Sequence, residues 1–207
     1  MAYRSSEKTR QKKDAKRTAM MKAAILVFAE KGYHAATIRD IVREADVAIG
    51  TFYFYFPDKE TLFVHLYEET ADFLLQAIRQ AVRTQQMVSD QIQAGFQAIM
   101  NIAIYEPAVV HLLLVGGIGA VPSLATKRLA YREKLTKIWQ EVLDTAVAIE
   151  AIPEQNTRRS AEAFAGAFDE VVLNVLSYPE PDIEADTAVI EMVTFALNAI
   201  GYENRVE

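Results

Sequence analysis

The residues that could do covalent or metal chemistry are few. The 207-residue chain has no cysteine, which excludes disulfides, thiol nucleophiles and cysteine-bound metals. Its three histidines, His34, His65 and His111, are scattered. His65 and Glu69 stand four apart in a helical stretch and could share a metal, but an ordinary surface pair has the same spacing. The carboxylates of "YPEPDIEAD" (Tyr178 to Asp186) are explained by the attraction of a helix N-terminus for negative charge. "GGIGAVP" fails the dinucleotide-binding pattern, because Pro122 replaces the last glycine and no strand precedes it. No catalytic residue, metal or cofactor is expected, and the chain is not expected to be an enzyme.

The chemistry left is that of contact with a polyanion. The net charge of −6 hides an asymmetry. Residues 1–60 carry 12 Lys/Arg against 8 Asp/Glu, and the remainder 10 against 20. A basic N-terminal part on an acidic body points to a polyanionic partner for that part alone. Residues 1–17 are the most biased, with Arg4, Lys8, Arg10, Lys12, Lys13, Lys16 and Arg17 against Glu7 and Asp14, and are expected to form a basic arm.

The elements that would position such contacts are helical. Met20, Ala24, Val27 and Phe28 repeat at helical spacing before Gly32. Thr37, with Asp40 three residues on, opens a second short helix in a capping-box pattern. A third runs from about Ala48 to Phe56 and is stopped by Pro57, and Asp58 caps a long fourth. The third contains "FYFYFP", whose aromatics would suit a strand, yet the run lacks alternation and ends at proline. Two short helices joined by a tight turn behind a leading helix make a helix-turn-helix, whose second member lies in the DNA major groove. Phe52 and Phe56 share a face and are expected in the core, with Phe54 and Tyr55 pointing outward.

The stretch "FAEKGYHAATIRDIVREADVAIGTFYFYFPDKETLF" resembles the N-terminal DNA-binding domain of the TetR (tetracycline-repressor-like) family of transcription regulators. The resemblance rests on Phe28, Gly32-Tyr33, Thr37, Ile41, Ala45, Val47, Gly50-Thr51, Tyr53, Tyr55-Phe56, Lys59 and Leu62-Phe63. It implies phosphate contacts from Thr37, Tyr53, Tyr55 and Lys59. It places Ala48, Ile49, Gly50, Thr51 and Phe54 at or near the base edges. Three positions depart from the family pattern. Asp46 replaces a turn glycine, and Asp tolerates a left-handed backbone better than most residues. Ala48 replaces a capping serine, a loss of ~1 kcal/mol. Ile49 cannot donate a hydrogen bond, so contact with a thymine methyl is expected there.

The expected fold is all-α: a basic arm at 1–17, a three-helix helix-turn-helix domain at 18–62, and a larger effector-binding and dimerisation domain at 63–207. Helices are expected at about 89–105, 107–115, 123–150, 157–178 and 184–201. Apolar surplus with a few polar groups suggests an effector pocket lined by Phe96, Met100, Ile104, Tyr105, His111, Leu114, Arg128, Tyr131, Leu135 and Trp139. An acyl chain or aromatic compound would suit it. The resemblance implies a two-fold dimer through the last two helices, with Phe164, Phe168, Val172, Val175, Val189, Val193 and Ala196 as candidates; the same stripes would also serve as intrachain core. The expected function is a cytoplasmic, ligand-responsive repressor released from an inverted-repeat operator on double-stranded DNA. The alternative is a helical small-molecule-binding protein that does not bind DNA. No membrane partner is expected, because the apolar stretch from Ala108 to Val121 is shorter than the ~20 residues a span requires.

Overall fold

The structure, a computed structural model, describes residues 7–203, with side chains from residue 15 onward. It contains α1 (Glu7–Ala35), α2 (Ile38–Glu44), α3 (Ile49–Tyr55), α4 (Lys59–Arg83), α5 (Val88–Tyr105), α6 (Pro107–Leu114), α7 (Leu124–Ala148), α8 (Thr157–Val175) and α9 (Pro181–Ala199). There is no strand among the described residues. No single described helix is long and apolar enough to cross a membrane.

Some boundaries differ from the sequence expectation. Residues 7–17 of the expected arm are helical and continue into α1, since no glycine or proline interrupts them; residues 1–6 lie outside the described part. Lys8, Arg10, Lys12 and Lys13 fall where only the backbone is described. Helix α9 begins at Pro181 instead of 184. Proline at the first helical position needs no N–H partner, and Asp182 and Glu184 then favour the N-terminal turn.

The chain divides into two compact units. One consists of the chain up to Glu69 together with His111–Ala125; the other of Thr70–Val110 and Thr126 onward. The inclusion of 111–125 with the N-terminal helices was not legible in sequence. Its cause is a close approach: a Cβ on Gly117 would lie 2.6 Å from Cε1 of Phe63 in α4. Ser123 Oγ adds a hydrogen bond of 2.5 Å to Glu60.

Within this first unit, Phe63 meets Phe28 and Tyr33 edge-on at 4.9 and 5.1 Å between centroids. Phe52 and Phe56, both buried, pack at 5.8 Å. At ~150–250 Å² of burial apiece, a few aromatics supply the core that a unit this small otherwise lacks. In the second unit α5 packs against α9 and α8. Its centre is an aromatic cluster in which Phe96 stacks on Phe168 at 4.3 Å and Trp139 meets Phe168 edge-on at 5.2 Å. Gly95 admits the indole: a Cβ there would sit 2.5 Å from Trp139 Cη2.

Candidate nucleic-acid interface and effector unit

Helix α2 is set by its cap. Thr37 Oγ1 accepts from the Asp40 N–H at 3.1 Å, and Asp40 Oδ2 accepts from the Thr37 N–H at 3.1 Å. Hydrogen bonds from Lys31 and Thr37 hold the Asp40 carboxyl well below the usual carboxylate range. Ile41 and Val42 are buried, and Arg39 and Arg43 share the opposite face. The turn to α3 passes through Asp46 at φ 51, the left-handed residue expected there. Ala48 caps α3 without a side-chain hydrogen bond, as expected.

Helix α3 is fastened on one side by Phe52 and, at its C-cap, Phe56. Its other side faces solvent: Ile49 is 45%, Tyr53 55% and Phe54 65% exposed, and Gly50 lies between them. At 100° per residue these four positions cover a continuous arc of about 140°. Thr51 and Tyr55 are half-buried at its edge, and Tyr55 meets Phe54 edge-on at 4.9 Å. A Cβ added at Gly50 would meet nothing within 4 Å. Neither packing nor backbone geometry within this chain therefore calls for glycine at that position.

Two of the expected phosphate ligands have other partners. Both donors of Thr37, its N–H and its hydroxyl, go to Asp40 Oδ2, the latter at 2.7 Å. The Lys59 ammonium donates to the carbonyls of Tyr33, His34 and Ala36 at 2.7, 3.4 and 2.8 Å, and lies 4.4 Å above the Tyr33 ring. It closes the end of α1 beyond Gly32, where the backbone leaves helical geometry at φ 72 and ψ 165. Sequence showed the charge of Lys59 but not its acceptors. Arg17, assigned to the arm, is similarly engaged: it pairs with Glu69 at 2.9 Å and lies 5.7 Å above the Phe56 ring. Arg39, not singled out in sequence, is exposed on α2 with no ion pair among the described residues.

These contacts make Lys59 a fastener of the fold. Lys59→Met keeps the stem and removes the ammonium, leaving the Tyr33 and Ala36 carbonyls without this donor. A loss of about 1–3 kcal/mol in urea unfolding is expected, with only a minor change in the salt dependence of DNA binding. Unchanged stability with a flattened salt response would instead make Lys59 a phosphate ligand.

Residues 20–66 match the family model described as "Bacterial regulatory proteins, tetR family". That stretch is a DNA-binding domain of the tetR family. The tetR-family match contains the whole of α2 and α3, so the arc on α3 belongs to a helix-turn-helix transcription regulator. Similarity extends beyond residue 66. The chain is 26% identical over 147 residues to the transcriptional repressor KstR2 of Rhodococcus jostii, covering 65% of this chain and 67% of that protein. It is 24% identical over 190 residues to the transcriptional activator FasR of Mycolicibacterium smegmatis, covering 92% and 85%. A crystal structure of Bacillus subtilis FadR in complex with stearoyl-CoA shares the fold, with a TM-score of 0.74 at 19% identity over 86% of this chain and 97% of that one.

The expected pocket residues separate into three groups. Phe96, Met100, Tyr131, Leu135 and Trp139 are buried in the second unit. Ile104, Leu114 and Arg128 are half-buried. Tyr105 is 82% exposed and His111 is exposed, so neither lines an interior. Tyr105 ends α5 just before the break at Glu106, where a ring has nothing to pack under. His111 and Leu114 also fall in the first unit, and the other candidates in the second. The buried Trp139 Nε1 has no hydrogen-bond partner among the described residues.

The expected dimer residues need a correction as well. Phe164, Phe168, Val172, Val175, Val189, Val193 and Ala196 are all buried within the single chain. The strongest apolar stripe of an amphipathic helix turns to its own core first. The large apolar side chains that α9 leaves exposed are Ile183, Ile190 and Phe195.

Asp169, on α8, was also missed. It pairs with Arg132 of α7 at 2.9 Å, yet its largely buried carboxyl is pushed up to about 6 because burial outweighs the attraction of Arg132 and Arg128. A folded pKa above the unfolded value near 3.9 means a contribution fully present below pH ~4 and lost as pH rises through 6. Asp169→Asn is therefore expected to lower stability at pH 4 relative to stability at pH 7.5 by on the order of 2 kcal/mol compared with the wild type, at one unit per ~1.4 kcal/mol. Urea midpoints across that range check this; parallel curves for the two proteins would refute it.

Proposed function

We propose that this regulator is a cytoplasmic repressor that binds an inverted-repeat operator as a homodimer and releases it when an amphipathic effector enters the second unit. The observation that carries the DNA-binding part is the solvent-facing arc of α3, fastened from behind by Phe52 and Phe56. Exposed aromatic and aliphatic side chains beside an unpacked glycine make sense as a surface awaiting another molecule. On this reading Tyr53 and Tyr55 hold phosphates, with Arg39 added and with Thr37 and Lys59 acting through the fold. Ala48, Ile49, Gly50, Thr51 and Phe54 approach the bases. The exposed Ile183, Ile190 and Phe195 of α9 support a dimer face opposite the residues first expected.

For the effector, support comes from the buried cluster of Phe96, Met100, Tyr131, Leu135 and Trp139, and from the stearoyl-CoA held by the structurally similar FadR. A long-chain acyl compound fits such a lining, and an acceptor oxygen on it would satisfy the unpaired indole N–H. Helix α4 runs through both units, so an effector in the second can act on the position of α3 through it. Activation is the second reading, favoured by the long match to FasR.

The test is a mobility shift with the DNA upstream of the protein's own gene, repeated over a salt series. Binding should be dimeric, with a log–log slope of ~−0.9 per phosphate neutralised. Stearoyl-CoA should lower operator affinity and change Trp139 emission together, and DNA should weaken stearoyl-CoA binding by the same factor. Absence of any shift at low salt would remove the DNA-binding reading. DNA release without a Trp139 response would move the effector elsewhere. Transcription in vitro with and without stearoyl-CoA separates repression from activation.

A further inference from the structure

We infer that α3 reads its operator through methyl groups in the major groove, chiefly the C5-methyl of thymine, and not through the hydrogen-bonding edges of guanine or adenine. This rests on the DNA-binding reading above. The sequence of α3, IGTFYFY, holds no arginine, lysine, asparagine, glutamine or carboxylate. Bidentate contacts to guanine come from arginine or lysine, and those to adenine from asparagine or glutamine. None of these can arise from this helix.

What α3 does present is apolar. Ile49 and Phe54 bound the exposed arc, and Gly50 between them leaves room for a base edge to come close. The polar atoms at hand offer no bidentate contact. Thr51, half-buried at the edge of the arc, carries a single hydroxyl. The Tyr53 hydroxyl stands at the tip of a long ring, suited to the phosphate backbone. On α2, Arg43 is held by Asp40 at 2.8 Å. The C5-methyl is the one apolar group on a major-groove base edge of unmodified DNA. A cytosine methylated at C5 presents the same group at the same place, so 5-methylcytosine should be accepted where cytosine is refused.

The experiment uses the wild-type full chain. Operators are first selected from random duplexes at fixed salt. Each thymine of the selected half-site is then replaced by deoxyuridine, which removes the methyl and keeps the hydrogen-bonding edge; replacements outside the half-site serve as controls. Burial of one methyl corresponds to about a fourfold affinity change, so about a fourfold loss per contacted methyl is expected. A C·G pair at such a position should regain that factor when the cytosine is methylated at C5. Ile49→Ala should abolish the deoxyuridine effect at one position and leave the others. Deoxyuridine operators that bind as well as thymine ones would overturn the inference. So would half-sites whose affinity collapses with 7-deazaguanine and is indifferent to deoxyuridine. If no duplex is selected at all, the DNA-binding reading itself fails, and this inference with it.

Discussion

Gly117→Val is expected to destabilise the first unit by about 2–6 kcal/mol, a large part of the ~5–15 kcal/mol that holds a typical domain folded. Two costs add. Gly117 sits at φ 69, where a residue with a side chain loses about 1–3 kcal/mol. An added Cβ would also press on Phe63 at 2.6 and 2.9 Å, and overpacking of a filled core costs about 1–3 kcal/mol. Phe63 cannot retreat easily, since it is buried against Phe28 and Tyr33. The neighbouring Gly119 separates the two costs: it has φ 75, and a Cβ there would touch nothing within 4 Å. Gly119→Ala therefore reports backbone strain alone, and Gly117→Ala reports strain plus contact. Adding Phe63→Leu should recover part of the second cost but none of the first, which a double-mutant cycle measures directly. Equal losses for the two alanine variants would mean that 111–125 does not press on α4.

Local signals were legible in the sequence where neighbours decide the structure. The Thr37–Asp40 cap, the left-handed Asp46, the bare cap at Ala48 and the inward side of Phe52 and Phe56 all follow from residues a few positions apart. Long-range partners were not. Nothing near Lys59 in sequence announces the carbonyls of Tyr33 and Ala36, and nothing near Gly117 announces Phe63, 54 positions away by their numbering. Apolar periodicity tells which side of α8 and α9 is buried but not whether the same chain or a second copy buries it, so that Phe168 and Val193 suit a core and an interface equally in the sequence. Asp169 looks like any surface carboxylate until α7 is packed beside it.

Gly50→Leu is expected to move stability and DNA binding in opposite directions. A glycine inside a helix costs about 1 kcal/mol relative to a good helix former, and in α3 nothing within the chain compensates. The position is exposed, its backbone is helical, and an added Cβ meets open space. The free protein should therefore gain about 0.5–1 kcal/mol, visible as a rise of several degrees in melting temperature for a unit of this size. On DNA the same side chain stands in the middle of the arc between Ile49 and Phe54, where a base edge must approach. Specific binding should then fall to the level of non-specific binding, typically a loss of ~10³-fold or more. Salt-dependent attraction to any duplex should persist, because no cation has been removed. Gly50→Ala, with a single added methyl, should give the same stability gain with a smaller loss on the operator. A Gly50→Leu protein that melts higher and still binds its operator at wild-type affinity would show that this face of α3 is turned away from the groove. The roles given to Ile49 and Phe54 would then have to be abandoned.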